Sequence, residues 1–284
     1  ESAFGLDYMT GLLVTSLVVV FYTFLGGFLA VSLTDFVQGT IMVLALVIVP
    51  IVAVSEIGGV GETVSLINQK GTNYLDLFRG TTTVSIISLM AWGSGYCGQP
   101  HILVRFMAID KVSDLKKAKN IGITWMIFTV GGALLVGLIG IAYLIKFDSA
   151  TMNVFDNSKT QAETVFIYFS RVLFHPLIGG FLLSAILAAV MSTISSQLLV
   201  TSSSLTEDIY KAFLNKKASE KQLLSVSRLS VLIVAIIAVL LSLNPNDSIL
   251  NMVGNAWAGF GSAFGPIIIF SLFFDVNETY HFHL

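Results

Sequence analysis

Charge is what this 284-residue sequence has least of. Asp, Glu, Lys and Arg together make up 11% of it, where soluble domains carry about 25%. That scarcity excludes an ordinary water-soluble domain. Cysteine is nearly absent too. Cys97 stands alone, so no disulfide forms within the chain, and no CxxC or His/Cys cluster suggests a metal centre. The four histidines (His101, His175, His281, His283) are scattered or terminal. No GxSxG, HExxH or P-loop pattern occurs, and no paired carboxylates lie in an apolar segment, so nothing supports enzyme chemistry. No basic patch interleaves with aromatics, which argues against nucleic acid as a partner. Low-complexity linkers, a soluble domain and a signal peptide are also missing. The net charge of −2 points to no partner. The chain opens on Glu1 rather than Met and enters an apolar run almost at once, so it reads as a piece of a longer polypeptide.

What is present is apolar length. Hydrophobic residues make up 55% of the chain, and the mean hydropathy is +0.86. Seven segments approach or exceed the ~20 residues a helix needs to span a bilayer. They cover about 9–31, 36–57, 83–109, 121–145, 177–208, 226–243 and 249–274. Unbroken apolar runs of this kind do not come from the alternating strands of a barrel. The fold class expected is therefore an all-α integral membrane protein with about seven transmembrane helices, in contact with the lipid bilayer. Ser32-Leu33-Thr34-Asp35 reads as a short turn between antiparallel first and second spans, with Gly26-Gly27 serving close packing. An amphipathic helix is expected around 163–174. Orientation follows the basic residues. Arg105, Lys111, Lys116, Lys117 and Lys119 flank one connection, and Lys211, Lys216, Lys217, Lys221 and Arg228 another. Both are read as cytoplasmic. Parity then puts Asp35 on the cytoplasmic side, and 58–82, 148–176 and 244–247 outside.

Three places carry polar chemistry inside these spans. The fifth span contains Ser192-Thr193 and Ser195-Ser196-Gln197, followed by a hydroxyl run at 201–204. At helical spacing Ala189, Ser192, Thr193 and Ser196 share one face. Hydroxyl and carbonyl oxygens on one face suit a small hard cation. The same residues also suit close packing, with each hydroxyl bonded back to the preceding turn. The third span is interrupted by Gly93-Ser94-Gly95-Tyr96-Cys97-Gly98-Gln99-Pro100. Three glycines and a proline predict a kink or an unwound turn. Unwound backbone at membrane depth is tolerated inside protein or beside a cavity, as in the broken helices of secondary transporters. Trp92 and Tyr96, at i and i+4, could wall the apolar part of a ligand. Asp35 is an ionisable group near the membrane and hence a functional candidate; a helix cap is the alternative. Glu207 and Asp208 read as a solvated helix end, and Asn255 and Trp257 as packing residues.

With these residues in view, the chain resembles the sodium:solute symporter family. The resemblance lies in YTFLGGFLAVSLTDFVQ (22–38), WGSGYCGQPHILVRFMA (92–108), SAILAAVMSTISSQLLVTSSSLTEDIYKAF (184–213) and AWAGFGSAFGP (256–266). These runs reach almost all the spans. The first marks the family, and the second and third point to its L-proline branch. The resemblance implies a five-plus-five inverted-repeat transporter fold, of which this chain is a partial copy. Residues 1–284 would form a single transporter domain holding the fourth to tenth core helices. It further implies sodium ligands at Ala189 (through its carbonyl), Ser192 and Thr193. Asp35 would lie on the cation's inward route, and Trp92, Tyr96 and Pro100 on the substrate-facing side. The expected activity is sodium-coupled uptake of L-proline across the bacterial cytoplasmic membrane, with sodium co-transported. Other solutes, such as pantothenate, sialic acid or a sugar, remain alternatives, as does a solute-sensing module without pumping. Two departures stand out: the first core helix is absent, and the polar tail 275–284 is unlike the family.

Overall fold

The structure, a computed structural model, describes residues 3–71, 74–76, 78–243 and 249–273. The polar tail 275–284 and the connection at 244–247 lie outside them. Among the described residues, five stretches are helical, long and apolar enough to cross a membrane: Tyr8–Ile57, Val112–Phe147, Pro176–Leu214, Glu220–Leu241 and Ile249–Phe273. Their outer faces are greasy. Leu17 is 72% exposed, Leu29 71% and Phe36 76%, a surface that hydrocarbon covers and water does not. The chain divides into two compact units, Glu1–Leu75 with Lys117–Pro245, and Asp76–Lys116 with Asn246–Leu284.

The first unit opens with α1 (Tyr8–Ile57), whose N-cap Asp7 accepts a hydrogen bond from the Thr10 amide. Helical dihedrals fail inside it at one residue, Gly27, with φ 55° and ψ −152°. Only glycine adopts that conformation without strain. The chain reverses there. The Tyr22 hydroxyl donates to the Met191 carbonyl and Asp35 accepts from Ser196. On a straight helix Tyr22 and Asp35 would stand roughly 20 Å apart, against roughly 8 Å between Met191 and Ser196. The turn expected at Ser32–Asp35 is therefore five residues earlier. Residues 32–35 continue the helix, and Thr34 bonds back to the Ala30 and Val31 carbonyls. The cause is steric: the reversal needs a positive φ, which glycine supplies and Ser-Leu-Thr-Asp does not. Asp35 is thus an interior residue of the second half of α1, not its cap.

That second half ends at Gly58 in the left-handed conformation, with α2 (Val60–Lys70) following. Lys146 of α5 (Leu115–Phe147) donates to the last carbonyl of α1, Ile57. Three short helices follow: α6 (Ser149–Asn157), α7 (Lys159–Ala162) and α8 (Val165–Val172). Asp148 caps α6 by accepting from the Thr151 hydroxyl and amide, which hold its carboxyl below the ordinary carboxylate range. The Tyr168 hydroxyl donates to the same carboxylate at 3.0 Å, and α8 is the expected amphipathic helix. Next come α9 (Pro176–Ser203), a π-helical stretch (Ser204–Leu214) and α10 (Glu220–Leu241), the last started by a Ser219–Gln222 capping box. The core joins Ala45, Val49, Ala53 and Ile57 to Val136, Ala142, Phe169, Leu182 and Ala185. Small residues let backbones meet, as membrane helices require. A Cβ on Gly132 would stand 2.5 Å from the Leu46 carbonyl oxygen, and one on Gly179 2.4 Å from that of Ser170.

The second unit holds α3 (Thr83–Gly95), a 3-10 turn (Tyr96–Gly98), α4 (Pro100–Met107) and α11 (Ile249–Phe273). Thr82 caps α3 by accepting from the Ser85 amide. The third apolar segment is thus helical in two pieces, each too short to cross alone. α11 packs on the break through glycine: a Cβ on Gly98 would lie 2.4 Å from the Phe260 carbonyl oxygen, and one on Gly261 2.9 Å from Gly95 Cα.

Candidate cation and solute sites

In the first unit, the Ser192 hydroxyl donates to the Ala189 carbonyl at 3.0 Å, and the Thr193 hydroxyl to the same oxygen at 2.9 Å. This is the back-bonding that serine and threonine make in helices. It also brings both hydroxyl oxygens to within 3.0 Å of the Ala189 carbonyl oxygen. One turn on, the Ser196 hydroxyl donates to Asp35 Oδ2 at 3.2 Å. The helix face read from spacing therefore carries a carboxylate from α1 beside its hydroxyls. Fully buried Ser195 donates to the Ser192 carbonyl at 3.1 Å. Among the described residues no three His, Cys, Asp or Glu side chains converge. The donor set here is hydroxyl, carbonyl and a single carboxylate, which fits a hard cation better than a transition metal.

In the second unit the helix breaks at the glycines and Pro100. Tyr96 donates its amide to the Gly93 and Ser94 carbonyls, tightening the helix into a 3-10 turn. Gln99 is extended, at φ −88° and ψ 111°, and Pro100 starts α4 at a position where no amide donor is needed. The Gln99 amide bonds Tyr96, so the Gly95 carbonyl loses its helical partner; the Gln99 side chain replaces it at 3.3 Å. Beside this break lies a cleft of about 440 Å³, lined by Ser88, Trp92, Ser94, Trp257, Ser262 and Pro266 among others. Trp257 is more than the packing residue its sequence context suggests. It stacks on Trp92, with centroids 5.6 Å apart and planes 12° apart, and meets Tyr96 edge-on at 4.7 Å. Its indole N–H donates to the Trp92 carbonyl at 3.0 Å. The only sequence signal for this was an indole in a glycine-rich span. Tyr22 carried no sequence signal either; it sits five residues before the reversal, and its hydroxyl donates to the Met191 carbonyl of α9 at 3.1 Å.

Several helices long and apolar enough to cross a membrane, with one apolar segment broken and one helix face lined by hydroxyls, define a multi-pass membrane protein. The comparisons narrow the class: the model of the "Sodium:solute symporter family" matches residues 1–279, and the chain belongs to that family. It is 61% identical over 279 residues to the "Osmoregulated proline transporter OpuE" of Bacillus subtilis, covering 98% of this chain and 55% of that one. It is 57% identical over 277 residues to "Sodium/proline symporter 2" of Staphylococcus saprophyticus, covering 96% and 52%. With the "Sodium/proline symporter" of Staphylococcus aureus it shares 54% over 276 residues, again 96% and 52%. The chain thus spans about half the length of these relatives. A solved structure of a Na+-coupled sialic acid symporter, substrate-bound and outward-open, is similar in fold. Its TM-score is 0.63 at 20% identity, over 92% of this chain and 56% of that one.

Proposed function

We propose that this chain is part of a carrier that takes up L-proline across the bacterial cytoplasmic membrane, driven by sodium. The observation that carries the reading is identity of 54–61%, across nearly the whole chain, to relatives named for proline transport or sodium/proline symport. In this reading residues 1–284 act as one transporter domain and supply the fourth to tenth core helices. Sodium is cargo. Ala189 offers its carbonyl oxygen, and Ser192 and Thr193 turn their hydroxyl oxygens from that carbonyl toward the ion. Asp35, hydrogen-bonded to Ser196, receives the ion on its inward passage. Trp92, Tyr96 and the Pro100 end of the break face the solute. Proline is a zwitterion with an apolar ring; the ring needs a dry wall and the charged ends need partners. Aromatic faces meet the first need. The Gly95 carbonyl is already bonded to Gln99, so the second falls on groups elsewhere in the carrier.

The test is uptake of radiolabelled proline into vesicles holding the full-length protein, under an imposed inward sodium gradient. Accumulation that collapses with the gradient and is competed by excess unlabelled proline supports the reading. Uptake competed by sialic acid, pantothenate or glucose, and not by proline, overturns it.

A further inference from the structure

Trp257 lies 165 residues along the chain from Trp92, and α11 brings its ring onto the break. Four of its contacts converge there. One ring face stacks on Trp92, and Tyr96 meets the ring edge to face. The Trp257 carbonyl accepts from Gln99 Nε2 at 3.3 Å, from an amide that also holds the Gly95 carbonyl. Gln99 is 3% exposed. The fourth contact is the informative one. In an unbroken helix the Trp92 carbonyl would accept from the Tyr96 amide, but that amide is directed to Gly93 and Ser94. The Trp257 N–H fills the gap at 3.0 Å. Gly95 leaves room for it, since a Cβ there would stand 2.5 Å from the indole nitrogen. A ring serving only to fill volume needs no N–H, and phenylalanine would do. This indole closes the hydrogen-bond gap that the 3-10 turn opens, and in doing so orients the two rings beside it.

We infer that Trp257 is a positioning residue for solute selectivity, acting through Trp92 and Tyr96 as the solute wall of the reading above. Trp257→Phe keeps a ring in the stack and removes the donor; Trp257→Ala removes both. Gly259→Ala on the same helix, where an added Cβ meets nothing within 4 Å, is the control.

Two measurements on the full-length protein test this. In vesicles, the half-saturating proline concentration should rise severalfold in Trp257→Phe and roughly tenfold or more in Trp257→Ala, as loss of the hydrogen bond and then of the stacked ring implies. The half-saturating sodium concentration should move less than about twofold, because the positioned rings are not cation ligands. Discrimination between proline and its four- and six-membered ring analogues should shrink. A purely structural role would lower the amount of carrier and its maximal rate, and leave half-saturation and discrimination as they were; that result overturns the assignment. The second measurement needs no transport. In a protein whose only cysteine is Cys97, in the 3-10 turn, maleimide labelling should be faster in both Trp257 variants than in Gly259→Ala. Unchanged labelling overturns the positioning claim. Wild-type vesicles that take up no proline would sink the proline reading alone, while the labelling result still decides the role of Trp257.

Discussion

Ser192 and Thr193 direct their hydroxyl protons at one oxygen, the Ala189 carbonyl. A cation that takes those oxygens as ligands competes with two short intrahelical bonds, which local rotation of each hydroxyl restores once the ion leaves. Deleting either hydroxyl should therefore weaken sodium and spare the helix. Ser192→Ala and Thr193→Ala in the full-length carrier should each raise the half-saturating sodium concentration by about tenfold or more, taking ~1.4 kcal/mol per decade. Sodium-dependent uptake measures it, and an unmoved half-saturation in both variants would remove the pair from the site. Asp35 belongs to the same series. It lies inside α1, eight residues beyond the break, so a capping role is gone. Asp35→Asn keeps an oxygen for the Ser196 hydroxyl and deletes the charge. It should fold normally and slow sodium-driven uptake; normal transport by this variant would leave Asp35 with a structural role only.

At the scale of elements, glycine decides where helices bend and where they touch. Gly98 and Gly93 flank the same break and differ in surroundings. A Cβ on Gly98 would meet backbone of α11 at 2.4 Å and 2.8 Å, while one on Gly93 meets nothing within 4 Å. Backbone cannot swing aside as a side-chain tip can. Gly98→Ala should thus cost about 1–3 kcal/mol of overpacking. Gly93→Ala should be neutral or gain up to about 1 kcal/mol from helix propensity. Thermal unfolding of the purified proteins checks the pair: a lowered midpoint is expected for Gly98→Ala only, and equal midpoints would refute the close contact. The break itself was legible, because three glycines and a proline in one apolar segment leave a helix few ways to continue. The hydroxyl face of α9 was legible from 3.6-residue spacing. The reversal in α1 was not placed correctly. Polar Ser-Leu-Thr-Asp looks like a turn, but the bend rests on a single positive φ at Gly27, and a glycine pair in an apolar run reads equally as a packing surface. Trp257 was illegible for another reason: its meaning lies in a carbonyl far away in sequence, freed by a 3-10 turn that forms only in the folded chain.

For the whole molecule, the proposed sodium ligands lie in the first unit and the proposed solute wall in the second. A symporter must link the two sites energetically, and such a link is reciprocal. If sodium tightens proline, proline tightens sodium by the same factor. Variants at the two sites should then respond to excess sodium in opposite ways. Ser192→Ala weakens the ion, so at moderate sodium its proline half-saturation rises as well. Raising sodium refills the site by mass action and returns proline affinity to the wild-type value. Trp92→Ala and Tyr96→Ala remove contact with the solute itself, which no sodium concentration replaces. Proline half-saturation in these two should stay raised, severalfold or more, when sodium saturates, while half-saturating sodium shifts by less than that factor. The measurement is a grid of initial uptake rates over both concentrations in vesicles holding the full-length carrier. Rescue of the Trp92 and Tyr96 variants by sodium would mean that these rings act on the cation or on the coupling rather than on the solute. Failure of sodium to rescue Ser192→Ala would mean that its hydroxyl does something other than hold the ion.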